Sequence, residues 1–151
     1  MIKNIKDNKG FTLIELIMVT IILGILSAVA IPRYMGTVTR AEEAAEDAVI
    51  NSIRAGLGNY AMEQMLSNGR KSWPNHPFEG LDTTPVGYSA SNEGNAISDG
   101  QWTFNLQTLQ ITHQRNDNSR YGWDYNKGIQ TGDNANIGNI GNIETLDSLL
   151  P

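Results

Sequence analysis

A glutamate set inside an apolar helix constrains this chain more than any other feature. Residues Phe11 to Ile31 are apolar apart from Thr12, Glu15, Thr20, Gly24 and Ser27, and a short basic leader precedes them. An ionisable group in such a run is costly unless a partner of opposite charge meets it. A second copy of the chain can supply that partner, so the pattern points to assembly before catalysis.

Charge and composition narrow the classes further. The chain has 151 residues and a formal net charge of −5. Within residues 1–10, Lys3, Lys6 and Lys9 against Asp7 make the leader +2, so −5 less +2 leaves −7 for the remainder. That acidity argues against binding nucleic acid, whose phosphates demand Lys and Arg. The absence of cysteine removes disulfides, Cys-ligated zinc and thiol nucleophiles. Core-forming residues thin out after Met65, so any globular part is small and needs the long helix as its backing.

About 20 apolar residues in a helix span a bilayer core. The lysines of the leader should stay in the cytoplasm and leave the C-terminal part outside. Ser27-Ala28-Val29-Ala30 imitates a secretory cleavage site. However, the helical pattern runs past it without a turn, which disfavours cutting there.

The stretch Lys9-Gly10-Phe11-Thr12-Leu13-Ile14-Glu15 resembles the cleavage and methylation signal of type IV pilins and type II secretion pseudopilins. The resemblance rests on the basic leader, Gly before the cut, Phe after it, Glu at the fifth position counted from Phe11, and the apolar helix. Gly24 and Pro32 also sit where many members carry them. The likeness is strong over residues 6–34 and is one of general architecture beyond Ser67.

The resemblance implies cleavage between Gly10 and Phe11 by a prepilin peptidase and N-methyltransferase, with methylation of the Phe11 amine. It also implies a pairing role for Glu15, which would neutralise the Phe11 amine of a neighbouring subunit. The partners it implies are further copies of the chain, an inner-membrane assembly platform, and lipid before assembly. The expected locations are the inner membrane and then a cell-surface filament, or a periplasmic pseudopilus. Gly24–Pro32 would be a segment that loses helix in the filament.

Physical chemistry adds to this. Leader removal frees the apolar stem to exchange bilayer for an equally apolar filament core. Pro32 removes the amide that would bond Ala28 and crowds that carbonyl, which predicts a kink. Gly24 lowers helix propensity.

After Pro32, Tyr34, Val38, Ala41, Ala45, Ala48, Val49, Ile53, Leu57 and Tyr60 recur at helical spacing. Glu42, Glu43, Glu46, Asp47 and Arg54 fall largely on other faces. Ser67-Asn68-Gly69 predicts a stop with Gly69 in a left-handed cap. A helix from Phe11 to Leu66 would be roughly 80 Å long. The chain therefore divides into a leader (1–10), a membrane or filament-core helix (11–32), an amphipathic continuation (33–68) and a small polar head (69–151).

Three strands are expected in the head, at Gln101–Leu106, Leu109–His113 and Arg120–Tyr125, with a reversal at Gln107-Thr108. A short strand near Val86-Gly87-Tyr88 would make a fourth. Trp102, Phe104, Leu106, Leu109 and Ile111 are the residues expected against the helix, with Trp73 and Phe78 plugging the connecting loop onto it. The repeat Ile137-Gly138-Asn139-Ile140-Gly141-Asn142-Ile143 reads as turn-rich, with Leu146, Leu149 and Leu150 tying the end down. The fold class is α+β and pilin-like: one long N-terminal helix on an antiparallel sheet of three to four strands.

Catalytic patterns are missing. His76 and His113 stand far apart, and no HExxH, CxxC, GxSxG or P-loop spacing occurs, so no enzyme activity is expected. No cofactor is expected either, with one alternative. Asp99, Asp117, Asp124 and Asp133 are oxygen ligands of the type calcium takes, and major pseudopilins often carry calcium in their C-terminal loops. Turn formation is the simpler role for these residues. The function expected is that of a filament subunit. The rivals are a major pseudopilin and, from another class, a membrane-anchored binding module that keeps its helix in the bilayer.

Overall fold

The computed structural model describes residues 10–128 and 139–146. The chain divides into two compact units, Met1–Ala41 and Glu42–Pro151. The elements in order are helix α1 (Leu13–Asn68), a 3-10 turn (Pro77–Gly80) and four strands: β1 (Trp102–Asn105), β2 (Gln110–Gln114), β3 (Arg120–Asn126) and β4 (Asn139–Leu146). The α+β arrangement of one long helix and a small antiparallel sheet is as expected.

In the first unit, helix α1 runs through Gly24 and Pro32 without interruption. Its apolar side chains from Phe11 to Met35 are exposed on every face. The helix ends where its sequence signals a stop: Gly69 takes φ 69° and its amide donates to the Met65 carbonyl at 3.0 Å.

In the second unit, the strands lie in the order β1-β2-β3-β4, each antiparallel to the next. Ile50, Ile53 and Leu57 of α1 pack with Phe78, Trp102, Phe104, Ile111, Trp123, Tyr125 and Ile140 to form the core. Each such aliphatic side chain contributes about 1.5–3 kcal/mol by leaving water. Trp73 is partly buried against the same cluster. Tyr125 carries its hydroxyl to the Pro74 carbonyl at 2.8 Å, tying β3 to the connecting loop. Burial raises the pKa of that phenol.

The tail corrects the sequence-based reading. Asn139–Ile143 of the repeat expected to be turn-rich lies in the fourth strand, Asn139–Leu146, with Ile140 opposite Tyr125 and Ile143 opposite Trp123. Its glycine gives no strand signal of its own, and pairing with β3 supplies the backbone order that side-chain pattern does not. Val86-Gly87-Tyr88 contributes only an isolated bridge, Tyr88 to Trp102. Residues 129–138, Leu149 and Leu150 lie outside the described residues, as do the leader residues 1–9 and Asp133.

Two turn residues were misplaced in the core. Leu106 and Leu109 are exposed because the β1–β2 reversal is wider than Gln107-Thr108. The Asn105 side-chain oxygen accepts the amides of Gln107 and Thr108 at 2.8 and 3.1 Å, and Leu109 takes φ 57°. This Asx turn lifts both leucines off the sheet.

Both faces of β1 and β2 are covered. Thr103 and Thr112 are cross-strand partners whose hydroxyls meet at 2.7 Å. Thr103 also donates to the Gly94 carbonyl at 2.7 Å, and the Ala96 amide donates to Thr112 at 2.8 Å. The segment around Gly94–Ala96 thus caps the outer face and satisfies hydroxyls that would otherwise be costly to bury.

Candidate assembly surface

The stem begins with a closed hydrogen-bond loop. Thr12 precedes the first helical residue, and its hydroxyl oxygen accepts the Glu15 amide at 3.3 Å. In return the Glu15 carboxylate accepts the Thr12 amide at 2.8 Å and the Thr12 hydroxyl at 2.7 Å. This is a capping box, which satisfies two helix amides lacking internal partners. Sequence reasoning missed Thr12, although a Thr three residues before a Glu ahead of an apolar run is the signal for it. The box fixes the Glu15 carboxylate at the mouth of the helix and leaves it acceptor sites for another donor.

Phe11 stands 92% exposed next to it. Gly10 and Gly24 both have open space where a Cβ would be, and neither has a positive φ. Among the described residues nothing requires glycine at either position.

From Leu13 onward the helix is long and apolar enough to cross a membrane, by length and composition. None of that apolar window is buried within the chain. Exposed apolar surface on this scale is characteristic of an interaction surface.

A second cluster lies in the head unit. Glu46, expected on a face other than the apolar stripe, is 1% exposed. Its Oε1 accepts His113 Nδ1 and Arg115 Nε, both at 2.8 Å, and its Oε2 accepts Arg115 Nη2 at 2.6 Å. A carboxylate only accepts, so His113 Nδ1 carries a proton. The Arg115 guanidinium sits 3.8 Å above the Tyr121 ring, and the His113 ring stacks on Trp102 at 4.3 Å. Burial alone would raise the Glu46 pKa, but the bonds from Arg115 and His113 outweigh it and hold the group below the ordinary carboxylate value. The bond to Glu46 raises the Arg115 pKa in turn. Nearby, Glu42 accepts the Asn116 amide at 3.1 Å and its side-chain nitrogen at 2.8 Å.

The network is a clamp of helix on sheet. The sequence reading set Glu46 off the apolar stripe, whereas Glu46, Ile50, Ile53 and Leu57 are buried together on the helix. The partners of Glu46, 67 and 69 residues away in the chain, were not legible in the sequence.

The aspartates weighed for calcium have other tasks. Asp117 accepts the Ser119 amide at 2.9 Å and the Ser119 hydroxyl. Asp124 accepts from Gln110 at 2.9 Å. Asp99 lies 3.4 Å from the Gln114 amide nitrogen. Among the described residues no three His, Cys, Asp or Glu side chains gather closely enough to hold a metal ion.

The fold and the stem define a class: a small antiparallel head carried on a helix whose N-terminal part is apolar all round. Residues 5–31 match the prokaryotic N-terminal methylation motif. The chain is 34% identical to the type IV major fimbrial protein FimA of Dichelobacter nodosus over 62% of its own length and 57% of that protein. It is 41% identical to the type IV narrow pilus major component PilA5 of Thermus thermophilus over 40% of its length and 50% of that protein. To the type IV major pilin protein PilE1 of Neisseria gonorrhoeae it is 38% identical, over 51% of its length and 44% of that protein. The chain thus spans about half the length of these relatives. No solved structure matches it.

Motif, architecture and relatives together make the chain similar to type IV pilins. These relatives are structural fimbrial and pilus subunits.

Proposed function

We propose that this chain is a structural subunit that polymerises through its apolar stem into a type IV pilus-like filament. The observation that carries this reading is that every apolar residue from Phe11 to Met35 is exposed, alongside a head that buries its own core. Before assembly, lipid covers the stem. After cleavage between Gly10 and Phe11 by a prepilin peptidase, the stems of other copies cover it instead. Methylation falls on the new Phe11 amine.

Glu15 then receives the Phe11 amine of the neighbouring copy. Its capping box with Thr12 holds the carboxylate in place beforehand, so little side-chain order is lost on pairing. In a low-dielectric stem bundle the pair also relieves the cost of a lone carboxylate. Gly24 allows close approach of stems, and Gly24–Pro32 is the weakest stretch of the helix. An assembly platform in the inner membrane would deliver subunits. The names of the relatives, all fimbrial or pilus components, favour a surface pilus over a periplasmic pseudopilus.

The test is mass spectrometry of filaments sheared from cells that express the chain. A dominant peptide that starts at methylated Phe11 is the expected result. Glu15→Lys should leave the protein in the membrane fraction with no filaments. Normal filament yield from Glu15→Lys, or uncut Lys3 peptides as the dominant species, would sink the proposal and favour a membrane-anchored binding module.

A further inference from the structure

Two charged residues bracket the apolar run of the stem. Glu15 comes before it and Arg33 after it, and residues 16–32 between them hold no Asp, Glu, Lys, Arg or His. Both stand on one continuous helix, about 27 Å apart at 1.5 Å per residue. That span matches the hydrocarbon thickness of a bilayer, about 30 Å. Glu15 is engaged by Thr12. The Arg33 carbonyl accepts the Thr37 hydroxyl at 3.1 Å. Its guanidinium is exposed and makes no ion pair or hydrogen bond among the described residues. Tyr34 beside it is 71% exposed.

We propose that Arg33 binds the phosphate of an anionic phospholipid in the outer leaflet, with Tyr34 at the same headgroup level, and so fixes the depth of the stem before assembly. This rests on the reading above that lipid covers the stem at that stage. With the basic leader in the cytoplasm, Glu15 falls at the inner edge of the hydrocarbon and Arg33 at the outer edge. A guanidinium presents a planar fork of donors that matches phosphate oxygens, and it is less strongly hydrated than an ammonium. A tyrosine, with an apolar ring and a polar tip, suits the same layer.

Charge favours an anionic lipid. Residues 16–41 carry Arg33 and Arg40 and no acid, so no carboxylate in that stretch competes with phosphate. Phosphatidylglycerol keeps the charge of its phosphate, whereas the choline of phosphatidylcholine offsets it. Arg40 stands two turns farther out, about 10.5 Å along the helix. Headgroups add only about 5–7 Å on each side of the hydrocarbon, so the contact falls to Arg33. It limits movement in both directions. A shift inward drags the guanidinium into hydrocarbon, and a shift outward brings apolar side chains into water.

The test uses the full chain in phosphatidylcholine bilayers with a trace of spin-labelled lipid. Electron paramagnetic resonance separates lipid held against the protein from free lipid. Spin-labelled phosphatidylglycerol should be held in preference to spin-labelled phosphatidylcholine. Arg33→Gln should lower that preference about twofold, with the amount of held phosphatidylcholine unchanged. Arg33→Lys, which keeps the charge, should keep most of the preference. Arg40→Gln removes the same charge beyond the headgroups and should also keep most of it. The leader lysines are common to all these chains, so the difference between chains reports the outer contact. Inorganic phosphate, at an ionic strength matched with chloride, should leave the preference as it was.

A preference unchanged by Arg33→Gln, or lowered as much by Arg40→Gln, would overturn the contact. So would its loss in phosphate alone, which would make the ligand a free anion. In each of these cases lipid is still held against the stem, and the reading that lipid covers it survives. If the natural sequence holds no lipid of either kind, that reading fails and the contact fails with it.

Discussion

The stem and the head treat apolar residues in opposite ways. Ile53 of the head is fully buried, while Leu23 of the stem is 56% exposed although both belong to one helix. The head closes its core with its own sheet and clamps it with Glu46. The stem leaves its apolar surface open, and among the described residues its Glu15 side chain bonds to Thr12 alone. A helix that hides one stripe is completed by its own chain, whereas a helix apolar all round is completed by lipid or by other copies. The same amino acids therefore report stability in one region and assembly in the other.

Substitutions in the two regions should separate these roles. The largest effect is expected at the clamp. Glu46→Ala strands the buried Arg115 guanidinium and should cost the head about 3–5 kcal/mol, read as a fall in melting temperature of the detergent-solubilised chain. A loss below about 1 kcal/mol would mean that the clamp is replaced by water.

Next comes a matched pair of truncations. Ile53→Ala should cost about 2–5 kcal/mol. Leu23→Ala, which also removes exposed aliphatic surface, should leave the melting temperature of the head unchanged and lower filament yield. A head destabilised by Leu23→Ala would break the comparison outright.

Gly56→Ala is a smaller perturbation of the same core. A Cβ at Gly56 would stand 2.3 Å from the Gly80 carbonyl oxygen, so the helix and the 3-10 turn must part. About 1–3 kcal/mol is expected from such overpacking. Gly24→Ala has open space and should spare the head, acting only on filaments.

Acid should act gradually and on the head. The Glu46 pKa is lowered in the folded state, from an ordinary 4.5. Its contribution is therefore present in full above that value and is lost as pH falls through the lowered folded value. Melting temperature should be level near neutral pH and decline below about pH 4.5, and Glu46→Gln should flatten that decline. Equal acid sensitivity in Glu46→Gln would move the effect to other carboxylates, Asp117 among them, whose pKa is also lowered by its bonds to Ser119.

Much of the architecture is legible in local pattern. The stop at Gly69 follows from chain chemistry alone, because only a left-handed residue closes the helix there. The strands at Trp102, Gln110 and Arg120 follow from alternation and aromatic content. Glu15 and Phe11 stand out because a charge in an apolar run has few explanations. Strand β4 was not legible. Its isoleucines recur every third residue among Gly and Asn, and pairing with β3 buries Ile140 while leaving Ile143 exposed. Leu106 and Leu109 were misread because alternation says nothing about an Asx turn that lifts a hairpin end away from the core.

The sequence by itself determined the helix, its open apolar stem, the capping pair Thr12 and Glu15, and the antiparallel character of the head. Those depend on neighbours a few residues away, where spacing translates directly into geometry. Tertiary structure alone decided that Glu46 would be buried under His113 and Arg115, and that the outer face of β1 and β2 would be covered by Gly94–Ala96. Those outcomes depend on which distant groups arrive at one place. A carboxylate enters a core only when cations from another element meet it there.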